Sequence, residues 1–316
     1  MNVLVTGATG FIGSHLCRAL VGKGHRVYGL SKGVNSKRIK DIKGNEQFSL
    51  LKADITNETQ LREELDNITV DVIFHLASKQ PGKASDFESF VEINTIGTYN
   101  LLKFAELANV KLFIYSSTTV IFGNSTKGFI NENCPVLPKN YYTLTKYTGE
   151  VLCRIFSERT PFKCIVLRYP SVFGVGHEAG IVYTYWKLAK HNKPIEVFSK
   201  GELYRNVIHV SDVIKANSLV VEKQNLLPKF GLFVIGSKNS MKMIDIAKFI
   251  VKELKYDTNC NCIYEGYEKF LENGEIRFLI IYGSKDCVGY GYKVTCENGN
   301  CEDGVKCKFL QKCEEY

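Results

Sequence analysis

Short runs of β-branched and aromatic residues alternate with amphipathic segments through the first half of the chain. The apolar runs predict strands at residues 3–6, 26–30, 48–52, 70–76, 111–116 and 163–168. The amphipathic segments predict helices at residues 13–22, 58–65, 87–108 and 141–159. Strands that alternate with helices imply a parallel, doubly wound sheet of the α/β class, covered by helices on both faces. Ligands of such sheets bind at the carboxyl ends of the strands.

Three glycines spaced three residues apart separate the first strand from the first helix. Gly7 permits the sharp turn, Gly10 lets a pyrophosphate approach the backbone, and Gly13 lets the helix pack close to the sheet. Backbone N–H groups at the start of the helix, around Phe11 and Ile12, then hold the phosphates. This arrangement predicts a dinucleotide site of the Rossmann type.

Tyr142 and Lys146 lie four residues apart in the helix predicted at residues 141–159, so their side chains share one face. We expect the Lys146 ammonium to stabilise the Tyr142 phenolate and to lower the pKa of the phenol from about 10. The phenol then moves a proton to or from a substrate oxygen while a hydride passes to or from a nicotinamide. Tyr141 lacks this spacing.

The glycine spacing and the Tyr-x-x-x-Lys pair resemble the extended branch of the short-chain dehydrogenase/reductase superfamily, which holds nucleotide-sugar epimerases, dehydratases and reductases. The match can be followed from residue 1 to about residue 250. It implies that Thr118 is the catalytic hydroxyl, that Lys146 also holds the nicotinamide ribose, and that Asn94 supports this lysine through water. The cofactor contacts that the resemblance implies are Gly7, Gly10, Phe11, Ile12, Gly13, Ser31, Lys32, Asp54, Ile55, Leu76, Ala77, Ser78, Asn94, Ser116, Tyr142 and Lys146.

Two later positions resemble the substrate contacts of the same family. Arg205 matches the arginine that grips the nucleotide pyrophosphate, a task that suits the planar guanidinium. Ser171 stands where the family usually has asparagine, which puts one phosphate contact in doubt. The resemblance therefore implies a nucleotide-sugar substrate.

The residues after Thr118 discriminate among the activities of the family. Dehydratases that resemble this chain have Asp-Glu there, whereas this chain has Thr119 and Val120, neither of which can act as an acid or a base. We therefore expect a sugar 4-epimerase, similar to UDP-glucose 4-epimerase, that works through a 4-keto intermediate. The alternatives are an NADPH-dependent reductase of nucleotide 4-keto-6-deoxysugars and, outside this class, a non-catalytic dinucleotide-binding protein.

The choice between NAD and NADP depends on the end of the second strand. NAD enzymes usually carry an acidic residue there to bind the ribose 2′-hydroxyl. This chain has Ser31 and Lys32, followed by Lys37 and Arg38, which favours NADP over NAD.

From residue 170 the alternation of strands and helices loosens, which predicts three parts. Residues 1–169 form the NAD(P)-binding Rossmann domain with the catalytic residues. Residues 170–255 form a smaller substrate-binding domain, interleaved with the last core strands. Residues 256–316 form an atypical tail with seven of the eleven cysteines and no predictable fold.

Composition narrows the classes of partner. The net charge of +8 comes from scattered basic residues, which argues against nucleic acid, and no apolar run is long enough to cross a membrane. The N-terminus has no signal-peptide pattern, so we expect a cytoplasmic protein with free thiols. The cysteine spacing does not fit zinc, and we expect no metal. The resemblance implies a homodimer, built from the helices at residues 87–108 and 141–159.

Overall fold

The structure, a computed structural model, describes residues 1–33, 37–82, 86–123, 130–190, 195, 197, 203–237 and 240–256. Its strands are β1 Asn2–Thr6, β2 Arg26–Ser31, β3 Phe48–Lys52, β4 Val72–His75, β5 Leu112–Thr118, β6 Lys163–Tyr169, β7 Ser171–Phe173, β8 Tyr204–Arg205, β9 Val207–His209, β10 Phe230–Val234 and β11 Met241–Lys242. Its α-helices are α1 Phe11–Gly22, α2 Glu58–Leu65, α3 Phe87–Phe90, α4 Gly97–Leu107, α5 Tyr141–Arg159, α6 Gly180–Lys190, α7 Val210–Glu222 and α8 Met243–Tyr256.

Seven strands form one parallel sheet in the order β3-β2-β1-β4-β5-β6-β10. The order reverses between β1 and β4, which opens a crevice at the carboxyl ends of the strands. Side chains alternate between the two faces of each strand: Val3 and Val5 pack in one core layer and Leu4 packs in the other. The first layer is completed by α1 and α7, and the second by α2, α4 and α5. The predicted doubly wound α/β fold is confirmed.

The helix predicted at residues 87–108 is present, and a π-helical segment, Val91–Ile96, joins α3 to α4. A residue inserted into a helix in this way is frequent at functional sites. The buried side chain of Asn94 lies in this segment.

The chain divides into two compact units. One comprises Met1–Val172 and Ile208–Gly236, and the other comprises Phe173–Val207 and the chain from Ser237 on. The second unit has its own apolar core, in which Tyr185 and Trp186 of α6 pack with Ile246 and Ile250 of α8. The boundaries predicted at residues 169 and 255 remain predictions, and the cysteine-rich tail lies outside the described residues from residue 257 on.

Four cysteines lie in the described part of the chain, and all four are free thiols. Among the helices of the described residues, none has the length and apolar character needed to cross a bilayer. The described ranges also contain no cluster of three or more His, Cys, Asp or Glu side chains that would suit a metal ion.

Candidate active site and dinucleotide-binding turn

The turn between β1 and α1 is packed so closely that its glycines have no room for a side chain. A Cβ at Gly13 would lie 2.2 Å from the carbonyl oxygen of Gly7, and a Cβ at Gly7 would lie 2.8 Å from the backbone nitrogen of Ala77. Gly7 also has a φ of +68°, which L side chains rarely adopt. The turn therefore brings the start of α1 close to the turn that follows β4.

The N-terminus of α1 is open to an anion. Gly10, its N-cap, has no side chain to accept a hydrogen bond from the first turn, and the first turn holds no acidic residue. The partial positive charge at this end of the twelve-residue helix is therefore not compensated within the helix. A diphosphate fits this position, so the residues present suit the predicted dinucleotide.

The edge of the cofactor site at β2 and β3 already contains an ion pair. The Lys32 ammonium lies 2.7 Å from Oδ2 of Asp54, and the Ser31 hydroxyl lies 2.7 Å from the Thr9 hydroxyl. Burial opposes ionisation of Asp54, but hydrogen bonds from Lys32 and Thr56 lower the pKa of its carboxyl below the usual value. The lysine that favoured NADP in the sequence therefore already has a carboxylate partner.

Residues 76–79 form the turn after β4 and are fixed from both sides. The Thr6 hydroxyl accepts hydrogen bonds from the N–H groups of Leu76 and Ala77, both at 3.2 Å. Asn94 accepts from the N–H of Lys79 at 2.7 Å and from the Ser78 hydroxyl at 3.1 Å. The Asn94 amide also donates to the hydroxyl of Thr145, at 3.1 Å.

Asn94 therefore links the turn after β4 to the residue before Lys146.

Two further predicted cofactor residues lie in unit 1. The side chain of Ile55 fills the space beside Gly97, and Ser116 is half-buried near the end of β5. The predicted cofactor residues other than Asn94, Tyr142 and Lys146 thus lie at or after the carboxyl ends of β1, β2, β3, β4 and β5.

The side chains of Thr118 and Tyr142 lie close together, so that the Thr118 hydroxyl opposes the effect of burial on the pKa of the Tyr142 phenol. Thr118 ends β5, and Tyr142 occupies the first turn of α5. A capping box at the start of α5 fixes this turn, because Asn140 accepts from the Thr143 N–H and Thr143 accepts from the Asn140 N–H. The tertiary fold therefore unites two residues that the sequence separates by more than twenty positions.

Lys146 lies one helical turn beyond Tyr142 and is 3% exposed. Its ammonium is 4.2 Å from the centre of the Tyr115 ring, and the Tyr115 hydroxyl donates to the Lys146 carbonyl oxygen at 3.3 Å. Tyr115 can approach α5 so closely because residue 149 is glycine; a Cβ there would lie 2.2 Å from the tyrosine hydroxyl. The lysine is thus held against the aromatic face of β5.

The protonation of the pair differs from the sequence-based expectation. Burial raises the pKa of the Tyr142 phenol above 10, although hydrogen bonds with Gln80 and Thr118 oppose this effect. Burial also lowers the pKa of Lys146 to about 7. The expected lowering of the tyrosine pKa was wrong for the protein alone, because burial disfavours the charged phenolate.

Sequence reasoning missed three groups around this pair. Gln80 lies near the Tyr142 phenol and opposes the effect of burial on its pKa, and nothing in the local sequence indicated that the two side chains are neighbours. Glu150 and Arg168 form a buried ion pair of 2.6 Å on the same side of α5. The spacing of Glu150, four residues after Lys146, was a usable signal because it places both residues on one helical face.

The two predicted substrate contacts lie apart from these residues in the chain. Ser171 is exposed and begins β7, two residues after the end of β6, in unit 1. Arg205 belongs to the second unit, where its guanidinium is exposed and Nη1 donates to the carbonyl oxygen of Tyr204 at 3.0 Å. Their contact with a substrate remains a prediction.

The glycine turn leads into a helix N-terminus that is open to an anion. A threonine at the end of β5 lies beside a tyrosine and a lysine in the first turns of α5. These two features together define a dinucleotide-dependent enzyme of the extended short-chain dehydrogenase/reductase class. A profile of the NAD dependent epimerase/dehydratase family matches residues 3–236. The chain belongs to this family and is an NAD(P)-dependent enzyme.

The chain is similar along most of its length to proteins of known type. It is 30% identical over 244 residues to an uncharacterized UDP-glucose epimerase of Bacillus subtilis, covering 72% of this chain and 74% of that protein. It is 25% identical over 281 residues to the dTDP-D-glucose 4,6-dehydratase of Homo sapiens, covering 86% and 79% of the two chains. A solved UDP-glucuronic acid 4-epimerase of Bacillus cereus in complex with NAD aligns with a TM-score of 0.71 at 28% identity, covering 80% and 82% of the chains.

These similarities confirm the nucleotide-sugar epimerase/dehydratase family and the fold that the sequence predicted. They do not confirm the preference for NADP, since the aligned structure contains NAD.

Proposed function

We propose that this enzyme is a 4-epimerase of UDP-linked hexoses or hexuronic acids that uses NAD. The observation that carries the proposal is the contact of Thr118 with Tyr142, next to Lys146, with no acidic side chain at positions 119 and 120. A 4,6-dehydratase needs an acid and a base to remove water across C5–C6, and Thr119 and Val120 supply neither. The similarity to proteins described as UDP-sugar 4-epimerases supports the same activity.

Tyr142 is the acid and base of this reaction. In its phenolate form its oxygen accepts the proton of the sugar O4 hydroxyl as C4 is oxidised, and the resulting phenol returns the proton when C4 is reduced from the opposite face. A dinucleotide held at the glycine turn would supply the hydride acceptor and donor for C4. The Thr118 hydroxyl, already in contact with the phenol, donates a hydrogen bond to the same sugar oxygen and orients it.

Lys146 stabilises the negative charge that develops on the Tyr142 oxygen. Its ammonium is fixed by the Tyr115 ring and excluded from water, so its charge acts at short range and in a low dielectric. Gln80 holds the phenol in the protein alone, and we propose that a sugar hydroxyl replaces this contact when the substrate binds.

The ion pair at the end of β2 supports NAD rather than NADP. A 2′-phosphate next to Lys32 would approach the Asp54 carboxylate, because the two side chains lie only 2.7 Å apart. A ribose 2′-hydroxyl meets no such repulsion and can donate to a carboxylate. Identification of the dinucleotide that the purified enzyme holds decides between NAD and NADP.

We propose that Arg205 binds the diphosphate of the substrate. Its guanidinium is exposed and retains donors beyond the one that contacts Tyr204, and the fork geometry of arginine matches phosphate oxygens. Ser171 offers a hydroxyl in place of the more common amide and makes a weaker contact of the same kind.

The protein is proposed to form a homodimer through one face of α4 and α5. On α5, the exposed apolar side chains Leu144, Val151 and Ile155 follow helical spacing, and Tyr99 and Leu107 are exposed on α4. In a twofold dimer the same surface of both copies meets, so the exposed apolar side chains of α4 and α5 would be covered by those of the second copy. A cytoplasmic location is supported by the free thiols of the four described cysteines.

The test is to denature the purified enzyme, identify any released dinucleotide, and assay UDP-glucose, UDP-galactose, UDP-glucuronic acid and UDP-galacturonic acid for conversion at C4. We expect bound NAD and interconversion of one epimeric pair without net consumption of cofactor. An enzyme that purifies empty, prefers NADPH to NADH and consumes it with a 4-keto sugar would be the reductase instead. Release of water from dTDP-glucose would make it a dehydratase.

A further inference from the structure

A buried carboxylate lies one helical turn beyond Lys146. Glu150 is 3% exposed, and its Oε1 accepts hydrogen bonds from the Ser117 hydroxyl at 2.5 Å and from Nε of Arg168 at 3.0 Å. Its Oε2 accepts from Nη2 of Arg168 at 2.6 Å. The carboxylate therefore ties α5 to the ends of β5 and β6.

Stability alone does not explain this ion pair. Two charges buried without solvent cost several kcal/mol of desolvation each, by order of magnitude, and apolar residues of the same shape often replace such a pair without loss. Nη1 of Arg168 is also buried without a hydrogen-bond partner within the described residues, next to the Phe122 ring. The arrangement fixes the position of one carboxylate and leaves an arginine donor unsatisfied.

The carboxylate acts on the active site through Lys146, because the surroundings of this lysine are otherwise poor in negative charge. The titratable groups that face Lys146, directly or through Glu150, are Glu150, Cys153 and Tyr142 on α5, Tyr115 on β5, His75 on β4 and Arg168 on β6. Burial raises the pKa of the Cys153 thiol and lowers the pKa of His75, so neither carries charge near neutral pH. Glu150, which is held in the ion pair with Arg168, is the carboxylate of this set.

We propose that Glu150 is a positioning residue for catalysis, whose buried charge keeps Lys146 protonated and whose place is fixed by Arg168 and Ser117. The inference rests on the proposed reaction, in which the Lys146 ammonium stabilises the Tyr142 oxygen.

The expected effect has a definite sign. Burial lowers the pKa of Lys146 to about 7, and Glu150 opposes this lowering. Removal of the carboxylate charge lowers the pKa further, by about one unit for an opposite charge at short range. In the variant, Lys146 therefore loses its proton at a lower pH than in the wild type, and the turnover number falls at that lower pH.

The first experiment compares the pH profiles of kcat for the wild type, Glu150→Gln and Glu150→Asp. We expect the alkaline limb of Glu150→Gln to lie about one pH unit lower. Glu150→Asp keeps the charge, so its alkaline limb stays in place even where its kcat is reduced. Ser117→Ala is the matched control, since it removes a hydrogen bond to Glu150 without removing the charge.

The second experiment reads the Lys146 titration without using activity. A lysine whose folded pKa lies below its unfolded value of about 10.4 destabilises the fold fully below the folded pKa, and the penalty disappears as the pH rises between the two values. The difference in unfolding free energy between the wild type and Lys146→Met therefore reports the Lys146 pKa across pH 5–10. The same difference is measured in the Glu150→Gln background, where we expect the midpoint to lie about one unit lower.

Glu150→Gln leaves the buried charge of Arg168 unpaired, which is strongly destabilising. The double variant Glu150→Gln/Arg168→Met removes both charges and keeps the shape. An unshifted Lys146 midpoint in whichever of these variants folds overturns the inference. Absence of epimerase activity in the wild type would instead reject the proposed reaction, while the unfolding measurement still decides whether Glu150 controls the charge of Lys146.

Discussion

Tyr142 must exchange a proton with the substrate from a position where burial favours its neutral form. Two neighbouring side chains act on its phenol, the hydroxyl of Thr118 and the amide of Gln80, and Lys146 lies one helical turn further along α5. The two hydrogen bonds oppose the effect of burial on the pKa in the protein alone. The proposed arrival of a sugar hydroxyl in place of Gln80 makes the phenol available to O4.

Tyr142→Phe removes the proton-transfer group and keeps the ring. We expect kcat to fall by about 10²- to 10⁴-fold, the usual contribution of general acid–base catalysis, while bound NAD and melting temperature change little. Steady-state assays with the epimeric pair measure this loss.

The control is Tyr141→Phe, because Tyr141 is 53% exposed and packs its ring against Phe87. Its turnover should stay within about twofold of the wild type, since loss of an exposed hydroxyl away from the chemistry removes little. Equal activity of Tyr142→Phe and the wild type would reject the proposed mechanism.

At the scale of elements, α5 has two opposed roles. Its inner face carries Tyr142, Lys146 and Glu150 at intervals of four, and its outer face carries Leu144 and Val151. Residues two apart in a helix point in nearly opposite directions, so the catalytic face and the proposed dimer face do not interfere. The capping box at Asn140 fixes the end of the helix from which both faces begin.

The turn before α1 is the second element on which function depends. We expect Gly13→Ala to lower the unfolding free energy by about 1–3 kcal/mol and to abolish dinucleotide binding, because its Cβ would meet the backbone oxygen of Gly7 at 2.2 Å. Urea unfolding and mass spectrometry of the released dinucleotide measure the two effects.

Gly22→Ala, at the other end of the same helix, is the matched control. Nothing lies within 4 Å of a Cβ at this position, so the variant should retain NAD and be as stable as the wild type or about 1 kcal/mol more stable. Retention of NAD by Gly13→Ala would show that this turn does not hold the cofactor.

At the scale of the whole molecule, the exposed apolar stripe of α5 predicts the oligomeric state. Leu144→Asp/Ile155→Asp places two charges in the proposed interface, where they would lose their hydration. We expect the double variant to be monomeric in sedimentation velocity at micromolar concentration, where the wild type is dimeric.

Leu226→Asp is the control for this experiment. Leu226 is 81% exposed but lies outside α4 and α5, in the short 3₁₀ turn Gln224–Leu226. This variant should remain dimeric. A monomeric wild type, or a dimer that tolerates both charges, would reject the interface.

The fold could be predicted from the sequence, and the site residues on α5 could be proposed from it, because both depend on local spacing. Alternation of apolar runs with helical segments predicted the doubly wound sheet, glycines three apart predicted the turn, and four-residue spacing placed Tyr142 beside Lys146. Each of these signals lies within one strand, one turn or one helix, where the period of the backbone fixes which side chains are neighbours.

The tertiary structure alone decided the charges around that core. It paired Lys32 with Asp54, which removes the main argument for NADP, and it joined Glu150 to Arg168 and Ser117 from three different elements. Burial also reversed the expected shift of the Tyr142 pKa. These contacts depend on how distant strands and helices pack, and the free energy of a charge depends on the surroundings that this packing creates rather than on its neighbours in the chain.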